Sequence, residues 1–367
     1  MKTIYYLSSS RLPIEEANAI HVINMSLAFS ETGSKVELYI AGLVKDIPHS
    51  AGAINFKLTK PFKNSQVRSF VRIFYVLKDF FIKRKKGIVF GRDFLSISIL
   101  ALLGRDVYLE VHEPPSSKLR KYLFEKVIKR KSLRGIVVIT EKLKHYFVEN
   151  YGISPDLIMT APDCANIKDK QQNGMNLKLG ADGEFIVGYA GSLYPGKGVD
   201  FILEIAEKMP DTQFFIAGGS SHEISEMKKN APKNVEFKGR LAHQDVDMFL
   251  EGCSVLLAPY KKRVESASGN DIGRWMSPLK IFEYMASGRP MIASDIDVIR
   301  EVLENGVDSL LAEPENVSAW VEQITYLEKN LETRNRIAMN GYQSVKTQFT
   351  WHHRAAELKN FFQDKSV

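Results

Sequence analysis

FIVGYAGSLYPGKGVDFILEIAEKM, residues 185–209, is an apolar run, then a glycine-rich turn, then an amphipathic run. FIVGYA has the length of a buried strand, and VDFILEIAEKM repeats its apolar residues at helical spacing. A strand leading through glycines into a helix is the building unit of a parallel α/β sheet. The unit recurs downstream as FFIAGG, NVEFKG, the helix DVDMFLEG, SVLLAPY, a helix around Ile281 to Ala286, and PMIAS. Upstream, a strand over Thr3–Leu7 leads through the polar loop SSSRLP into a helix over Asn18–Phe29. A strand over Lys35–Ile40 follows, with Gly33 placed as a helix C-cap residue. GIVFG, DVYLEVH and GIVVIT continue the series, with helical stretches between them. Between Ala161 and Glu184 the periodicity dissolves into turn formers, and two helical stretches close the chain. The expected fold is α/β, with two doubly wound Rossmann-like domains facing across a cleft. The expected boundaries are 1–165 and 184–349, a linker over 166–183, and a final helix over 350–367 packing back on the first domain. Ligands of such sheets lie outside the carboxyl ends of the strands.

The bulk composition agrees with two domains. The chain has 367 residues, 44% of them hydrophobic, enough for two sizeable cores. Its two cysteines, Cys164 and Cys253, exclude a disulfide framework and fit a reducing compartment. No Cys/His spacing of a zinc site is present. The N-terminal MKTIYYLSSSRLP has too short an apolar run for a signal peptide. The longest apolar run, Phe94 to Leu103, is broken by serines and falls short of the ~20 residues of a membrane span. The expectation is a cytoplasmic protein. Charge is uneven: residues 1–165 hold 26 Lys/Arg against 15 Asp/Glu, whereas the rest hold 24 against 28. VRSFVRIFYVLKDFFIKRKK (67–86) and KLRKYLFEKVIKRKSLR (118–134) carry most of the excess.

The loop GSLYPGKG, residues 191–198, stands where an α/β unit binds anions. Its glycines let the backbone approach a ligand, helix-end N–H groups favour negative charge, and Lys197 adds a cation. Gly191 to Lys197 matches the start of a nucleoside-triphosphate loop, G-x4-G-K. That loop continues with Ser or Thr to hold magnesium, and here Gly198 follows. No apolar strand ends in the Asp that completes such a site, so an ATPase is disfavoured. Taken alone, the loop has a less favoured reading as a tight turn with a solvated lysine.

SPLKIFEYMASGRP, residues 277–290, is the second such element. Ser277 stands as an N-cap and Pro278 in a first helical turn, leaving backbone N–H groups free. Lys280 near that end opposes the helix dipole, which makes sense beside a bound anion. Glu283 shares its helix face, and alone the two could form an ordinary i,i+3 ion pair. Gly288 would end the helix.

GYAGSLYPGKGVDFI, NVEFKGRLAHQDVDMFL, SVLLAPY and SPLKIFEYMASGRPMIASDIDVIREVLENGVDSLLAEPEN, in this order over about Phe185 to Pro314, resemble the C-terminal domain of GT-B fold, family-4 retaining glycosyltransferases. The start SSSRLPIEEANAIHVINMSLAFSETGSKVELY is similar to sugar transferases of bacterial polysaccharide pathways. VHEPP, residues 111–115, resembles the family's His-Glu-Pro segment. The resemblance implies transfer of a sugar from a UDP- or GDP-type donor to a saccharide or lipid-linked acceptor, with retention and without a metal or other cofactor. Glu283 falls on the glutamate that binds the donor ribose, and Lys197 on the lysine that neutralises the diphosphate. His112 falls on the histidine facing the transferred sugar. Gly239, Arg240 and Leu241 fall where the base is met. Gly191, Ser192, Ser277, Pro278, Leu279 and Lys280 complete the donor-binding set. His112, Lys197, Lys280 and Glu283 are the catalytic candidates. Two positions depart from the pattern: Trp275 replaces the first glutamate of E-x7-E, and Ser192 an arginine. The resemblance therefore casts Lys280 as the replacement cation. Arg274, Glu265 and Asp271 of the preceding loop would supply contacts that position 275 does not.

The basic N-terminal half would receive the acceptor through Arg11, Asn18 and His21. Asn18 and His21 are equally a helix cap and a surface histidine. In residues 67–86 the apolar positions 67, 70, 71, 74, 77 and 81 form a helical stripe flanked by cations. This is either a core-facing helix with a solvated basic face or a helix that docks on anionic lipid at the inner membrane face. Nucleic acid is disfavoured, because no recognition motif is present. Two other functions share the plan: a nucleotide-sugar epimerase, and a donor-binding partner subunit with little turnover of its own.

Overall fold

The computed structural model describes residues 3–13, 17–82, 85–167, 183–265 and 271–365. The chain divides into two compact units, one of Met1–Asp163 with Trp351–Val367, the other of Cys164–Thr350. Most of the segment read as a linker, from 168 to 182, lies outside the described residues.

The first unit is built on strands β1 (Ile4–Arg11), β2 (Val36–Ala41), β3 (Asn55–Thr59), β4 (Ile88–Gly91), β5 (Val107–Val111), β6 (Leu133–Val138) and β7 (Ile158–Thr160). They form one sheet in the order β3-β2-β1-β4-β5-β6-β7, with every pairing parallel. Five helices alternate with them: α1 (Ala17–Glu31), α2 (Ser65–Leu77), α3 (Phe94–Leu102), α4 (Lys118–Val127) and α5 (Glu141–Tyr151). Parallel strands covered on both faces are apolar throughout. β2 is accordingly buried along its whole length. Strand β3, NFKLT, has no such run, because it lies at the sheet edge with its first residue exposed. The strand order reverses between β1 and β4, so ligand-binding side chains are expected beyond the carboxyl ends of those two strands.

Helix α2 reverses one of the two readings of the basic stretch. The apolar stripe does not face a core: Val67, Phe70, Phe74 and Phe81 are 43%, 72%, 62% and 51% exposed. The inward face instead carries Val76 and Arg72. The buried guanidinium donates from Nε to Asp93 Oδ2 at 2.6 Å and from Nη2 to Oδ1 at 3.0 Å. A bidentate pair of this kind lets a charged residue occupy an interior position.

The second unit has strands β8 (Ile186–Ala190), β9 (Gln213–Ala217), β10 (Val235–Gly239), β11 (Val255–Ala258), β12 (Met291–Ser294) and β13 (Leu310–Ala312). They pair in parallel in the order β10-β9-β8-β11-β12-β13, with the switch between β8 and β11. The helices are α6 (Val199–Lys208), α7 (Ser221–Lys228), α8 (His243–Gly252), α9 (Leu279–Ser287), α10 (Asp297–Arg300), α11 (Val317–Lys329) and α12 (Leu331–Gln348). A last helix, α13 (Trp351–Asp364), belongs to the first unit. Three helices, not two, therefore follow the last strand. Asn330 is the joint between α11 and α12, and its side chain bonds back to Tyr326 O.

Trp320 anchors α11 under the second sheet. It is fully buried, donates from Nε1 to Glu313 O at 3.0 Å and meets the Phe201 ring edge-on at 5.8 Å. Trp320→Ala should destabilise this unit by about 3–5 kcal/mol through lost burial and the cavity left behind. A urea midpoint that does not fall would contradict the packing described.

Candidate functional site

The glycine-rich turn is dictated by close approach. Gly198 caps α6 with a left-handed backbone, φ 83°. A Cβ there would run into the Pro259 carbonyl oxygen after β11. No serine or threonine fits this position, which explains in steric terms why the turn departs from a magnesium-binding loop. Hydrogen bonds tie the glycines that follow β8 and β9 to the last residue of the neighbouring strand: Gly191 N donates to Ala217 O at 3.0 Å, and Gly218 N to Gly239 O at 2.7 Å.

Helix α9 enters from the other side of the β8/β11 switch. It starts one residue later than the sequence reading placed it. Pro278 is the N-cap, in extended conformation, with no side-chain capping bond. Ser277 therefore lies outside the helix and is buried. The Tyr284 hydroxyl braces α9 to β8, accepting from Ala190 N at 2.8 Å and donating to Ala190 O at 3.0 Å. Gly288, left-handed at φ 64°, ends the helix.

This bracing sets Lys280 and Lys197 around one aromatic ring. Lys280 is 9% exposed, and its ammonium has no hydrogen-bond partner among the described residues. Nζ lies 3.8 Å from the Tyr189 ring centroid and 5.0 Å from that of Tyr260. Lys197 Nζ lies 5.3 Å from the same Tyr260 ring. A Cβ on Gly191 would stand 2.9 Å from Lys280 Nζ, so the absent side chain leaves room for the ammonium beside the turn. Aromatic faces attract cations but supply no counter-charge. Burial lowers the Lys280 pKa well below the usual lysine range; Lys197 lowers it further, and Glu283 opposes both. Burial alone brings Lys197 down to about 8. Among the described residues neither lysine has a hydrogen-bonded anion, and the two stand on either side of the switch point, an arrangement that suits a compact polyanion.

The remaining residues of the expected donor set lie on these loops or just beyond them. Glu283 is half-buried on α9, one turn after Lys280. Leu279 opens α9, Gly239 ends β10, and Arg240 and Leu241 follow it. Ser192 has an exposed side chain, and its carbonyl accepts from the Tyr189 hydroxyl at 2.7 Å. The loop residues expected to compensate for Trp275 are engaged locally. Asp271 Oδ1 accepts from Val264 N at 3.2 Å and Gly273 N at 3.0 Å, Glu265 pairs with Arg263 at 3.3 Å, and Arg274 stacks on Trp275 at 5.1 Å.

In the first unit, Arg11 is exposed at the end of β1 and Asn18 at the start of α1. Asn18 Oδ1 accepts from Arg92 Nη2 at 3.0 Å. Arg92, directly after β4, was not singled out in the sequence; its signal is a cation immediately following the apolar strand GIVFG. His21 requires correction. It is 1% exposed, neither a surface residue nor placed to touch an acceptor. Its Nδ1 lies 2.6 Å from Asp163 Oδ1 and its Nε2 3.0 Å from Glu110 Oε1.

Glu110 is the centre of that cluster. Oε1 accepts from Arg354 Nη2 at 2.7 Å and faces His112 Nε2 at 3.2 Å, while Oε2 accepts from the Tyr6 hydroxyl at 3.1 Å. Burial would raise its pKa, but His21 and Arg354, with the hydrogen bonds of His112 and His21, hold it well below the usual carboxylate range. His112, 17% exposed in its side chain, is brought down to about 4 by burial and then by Arg92, against the pull of Glu110. Ligand atoms of His21, Glu110 and His112 lie within 4.8 Å of one another, as in a metal site. The guanidinium of Arg354 already occupies Glu110 Oε1, so a metal ion would have to displace it.

Comparison with known proteins places this geometry. Residues 184–330 match the family model of the Glycosyl transferases group 1. The chain is 27% identical to an uncharacterized glycosyltransferase of Methanocaldococcus jannaschii over 53% of this chain and 53% of that one. It is 20% identical to the phosphatidyl-myo-inositol mannosyltransferase of Mycobacterium leprae over 73% of this chain and 70% of that one. The chain thus spans about half the length of the archaeal relative. Its fold is that of HepE from Anabaena, solved with UDP, at a TM-score of 0.75 and 14% identity over 99% of this chain and 100% of that one. Two Rossmann-like units with seven- and six-stranded parallel sheets are the GT-B architecture the sequence pointed to.

The lysine pair sets a pH dependence for anion binding. Lys197 loses its proton as pH rises through about 8 in the ligand-free protein, and binding of an anion requires that proton. Affinity for inorganic pyrophosphate, measured by calorimetry, should therefore fall by roughly tenfold per pH unit above that point. Lys197→Ala should weaken binding and flatten the profile; an unchanged profile would remove Lys197 from the site.

Proposed function

We propose that this chain, whose residues 184–330 form a Glycosyl transferases group 1 domain, is a retaining glycosyltransferase using a UDP- or GDP-type sugar donor. The observation that carries this reading is the Lys197–Lys280 pair, one half-buried and one buried lysine around Tyr260 with no hydrogen-bonded anion among the described residues. A donor diphosphate supplies what they lack. Glu283 accepts from the ribose hydroxyls, and the segment Gly239 to Leu241 meets the base. Gly191, Ser192 and the turn Ser277 to Leu279 line the diphosphate.

In the reaction, the bond from the sugar's anomeric carbon to the diphosphate oxygen breaks, and the oxygen keeps the electron pair. The sugar becomes oxocarbenium-like. The acceptor hydroxyl oxygen bonds to that carbon on the face being vacated, and its proton passes to the departing phosphate. Lys197 and Lys280 stabilise the negative charge as it grows on the leaving group, by fixed electrostatics and without a metal. Lys280 takes the part of the cation missing at Ser192. Arg11, Asn18 and Arg92 receive the acceptor, a saccharide or lipid-linked sugar.

A panel of UDP- and GDP-sugars, assayed with excess chelator for transfer and slow donor hydrolysis, tests this. Turnover should persist in chelator, and Lys197→Ala should reduce it by ~10²-fold or more. Turnover that stops in chelator and returns with added metal would reject the mechanism. Nucleotide binding without any turnover would make the chain a donor-binding partner subunit.

The same reading places the first unit on an anionic membrane surface. Phe70 and Phe74 project from α2 into solvent, and Leu119 and Tyr122 from α4 are 61% and 57% exposed; α3 packs against both helices. Lys63, Lys78, Lys118, Arg120 and Lys121 are exposed or nearly so around them. Apolar side chains ringed by cations suit a bilayer interface with anionic headgroups. Co-sedimentation should show salt-sensitive binding to phosphatidylglycerol-containing vesicles, and the double variant Phe70→Glu/Phe74→Glu should lose most of it. Equal recovery with neutral vesicles would contradict the docking surface.

A further inference from the structure

Resting on the transferase reading, we propose that Glu110 is a positioning residue that fixes His112 as the uncharged Nε2–H tautomer, so that Nδ1 is left as a hydrogen-bond acceptor. An ionised carboxylate only accepts hydrogen bonds. The His112 Nε2···Glu110 Oε1 contact at 3.2 Å therefore requires the proton on Nε2. A neutral imidazole has one N–H, which leaves the lone pair on Nδ1. Nδ1 makes no hydrogen bond with the described residues, so among them that lone pair is uncommitted.

A carboxylate beside a histidine ordinarily draws it toward imidazolium. Here the demand of Glu110 for cations is met elsewhere. Arg354 Nη2 stands at 2.7 Å and His21 Nε2 at 3.0 Å from the same oxygen, and Tyr6 covers the other at 3.1 Å. Arg354 is itself locked, donating from Nε to Pro162 O at 3.0 Å and from Nη2 to Ala161 O at 3.1 Å. Asp163 on Nδ1 of His21 fixes the next ring at 2.6 Å. Arg92 adds positive potential at His112. The network therefore orients the ring without charging it.

The chemistry explains why this matters. The sugar carries growing positive charge as the diphosphate leaves. An imidazolium near the reacting carbon would oppose that charge, whereas a neutral ring with an uncommitted lone pair can accept from a hydroxyl without raising the barrier. Glu110 acts through His112 and touches no substrate.

Histidine side-chain 15N spectra of the intact protein at pH 7 test the proposal without a variant. The expected result is a neutral His112 with a protonated Nε2 and an unprotonated Nδ1. A proton on Nδ1, or an imidazolium, would overturn it. Glu110→Gln should show both tautomers and lower kcat by at least ~10-fold while the donor KM stays within ~3-fold. Glu110→Asp should recover part of each signal. A folded Glu110→Gln variant with unchanged tautomer and kcat would leave Glu110 merely structural. If Glu110→Gln fails to fold, the wild-type spectrum decides alone. If the wild-type protein transfers no sugar from any donor, the transferase reading fails, while the spectra still decide the state of His112.

Discussion

A buried lysine whose amine has no hydrogen-bond partner among the described residues organises the second unit. Lys280 lies against Tyr189 and Tyr260, and its surroundings are made to hold it there. Tyr284 ties its helix to the neighbouring strand, and Gly191 gives up a side chain beside it. Left empty, such a position is costly, because aromatic faces replace only part of the hydration a lysine loses. Occupied by an anion, the same position becomes favourable. On the proposed reading, a bound diphosphate recovers stability that the free protein lacks at this position.

The first unit inverts the usual polarity of a helix. In α2 an arginine goes inward to Asp93 and the phenylalanines go outward. Periodicity alone identifies a helix here but not which side faces the core, because the apolar stripe is the more obvious candidate. The deciding partner, Asp93, lies on another element.

Other differences between sequence and structure have similar causes. The strand–glycine–helix units of both halves were legible because buried parallel strands are apolar along their length and glycines mark their ends. Strand β3 was not, since an edge strand such as NFKLT keeps polar residues; β7 and β13 span only three residues each. Lys197, Lys280 and Glu283 could be found as a group because they sit on two contiguous motifs. Glu110 could have been suspected, being a carboxylate inside the buried run VYLEV, yet its partners are 89, 2 and 244 positions away at His21, His112 and Arg354. Sequence spacing carries no signal across 89 or 244 positions, so the sequence offers His21 only as an acceptor contact or a surface histidine.

The distance from Glu110 to Arg354 has a consequence for how the protein is made. A ribosome delivers the chain from its N-terminus, and the first unit holds all seven strands of its sheet by residue 160. At that moment Glu110 has His21 and Tyr6 but no guanidinium, and α13 does not yet exist. The second unit, continuous from Cys164 to Thr350, emerges whole in the interval. Only when residues 351–364 appear can the oldest part of the chain close around its carboxylate. The unit begun first is thus the last to be completed.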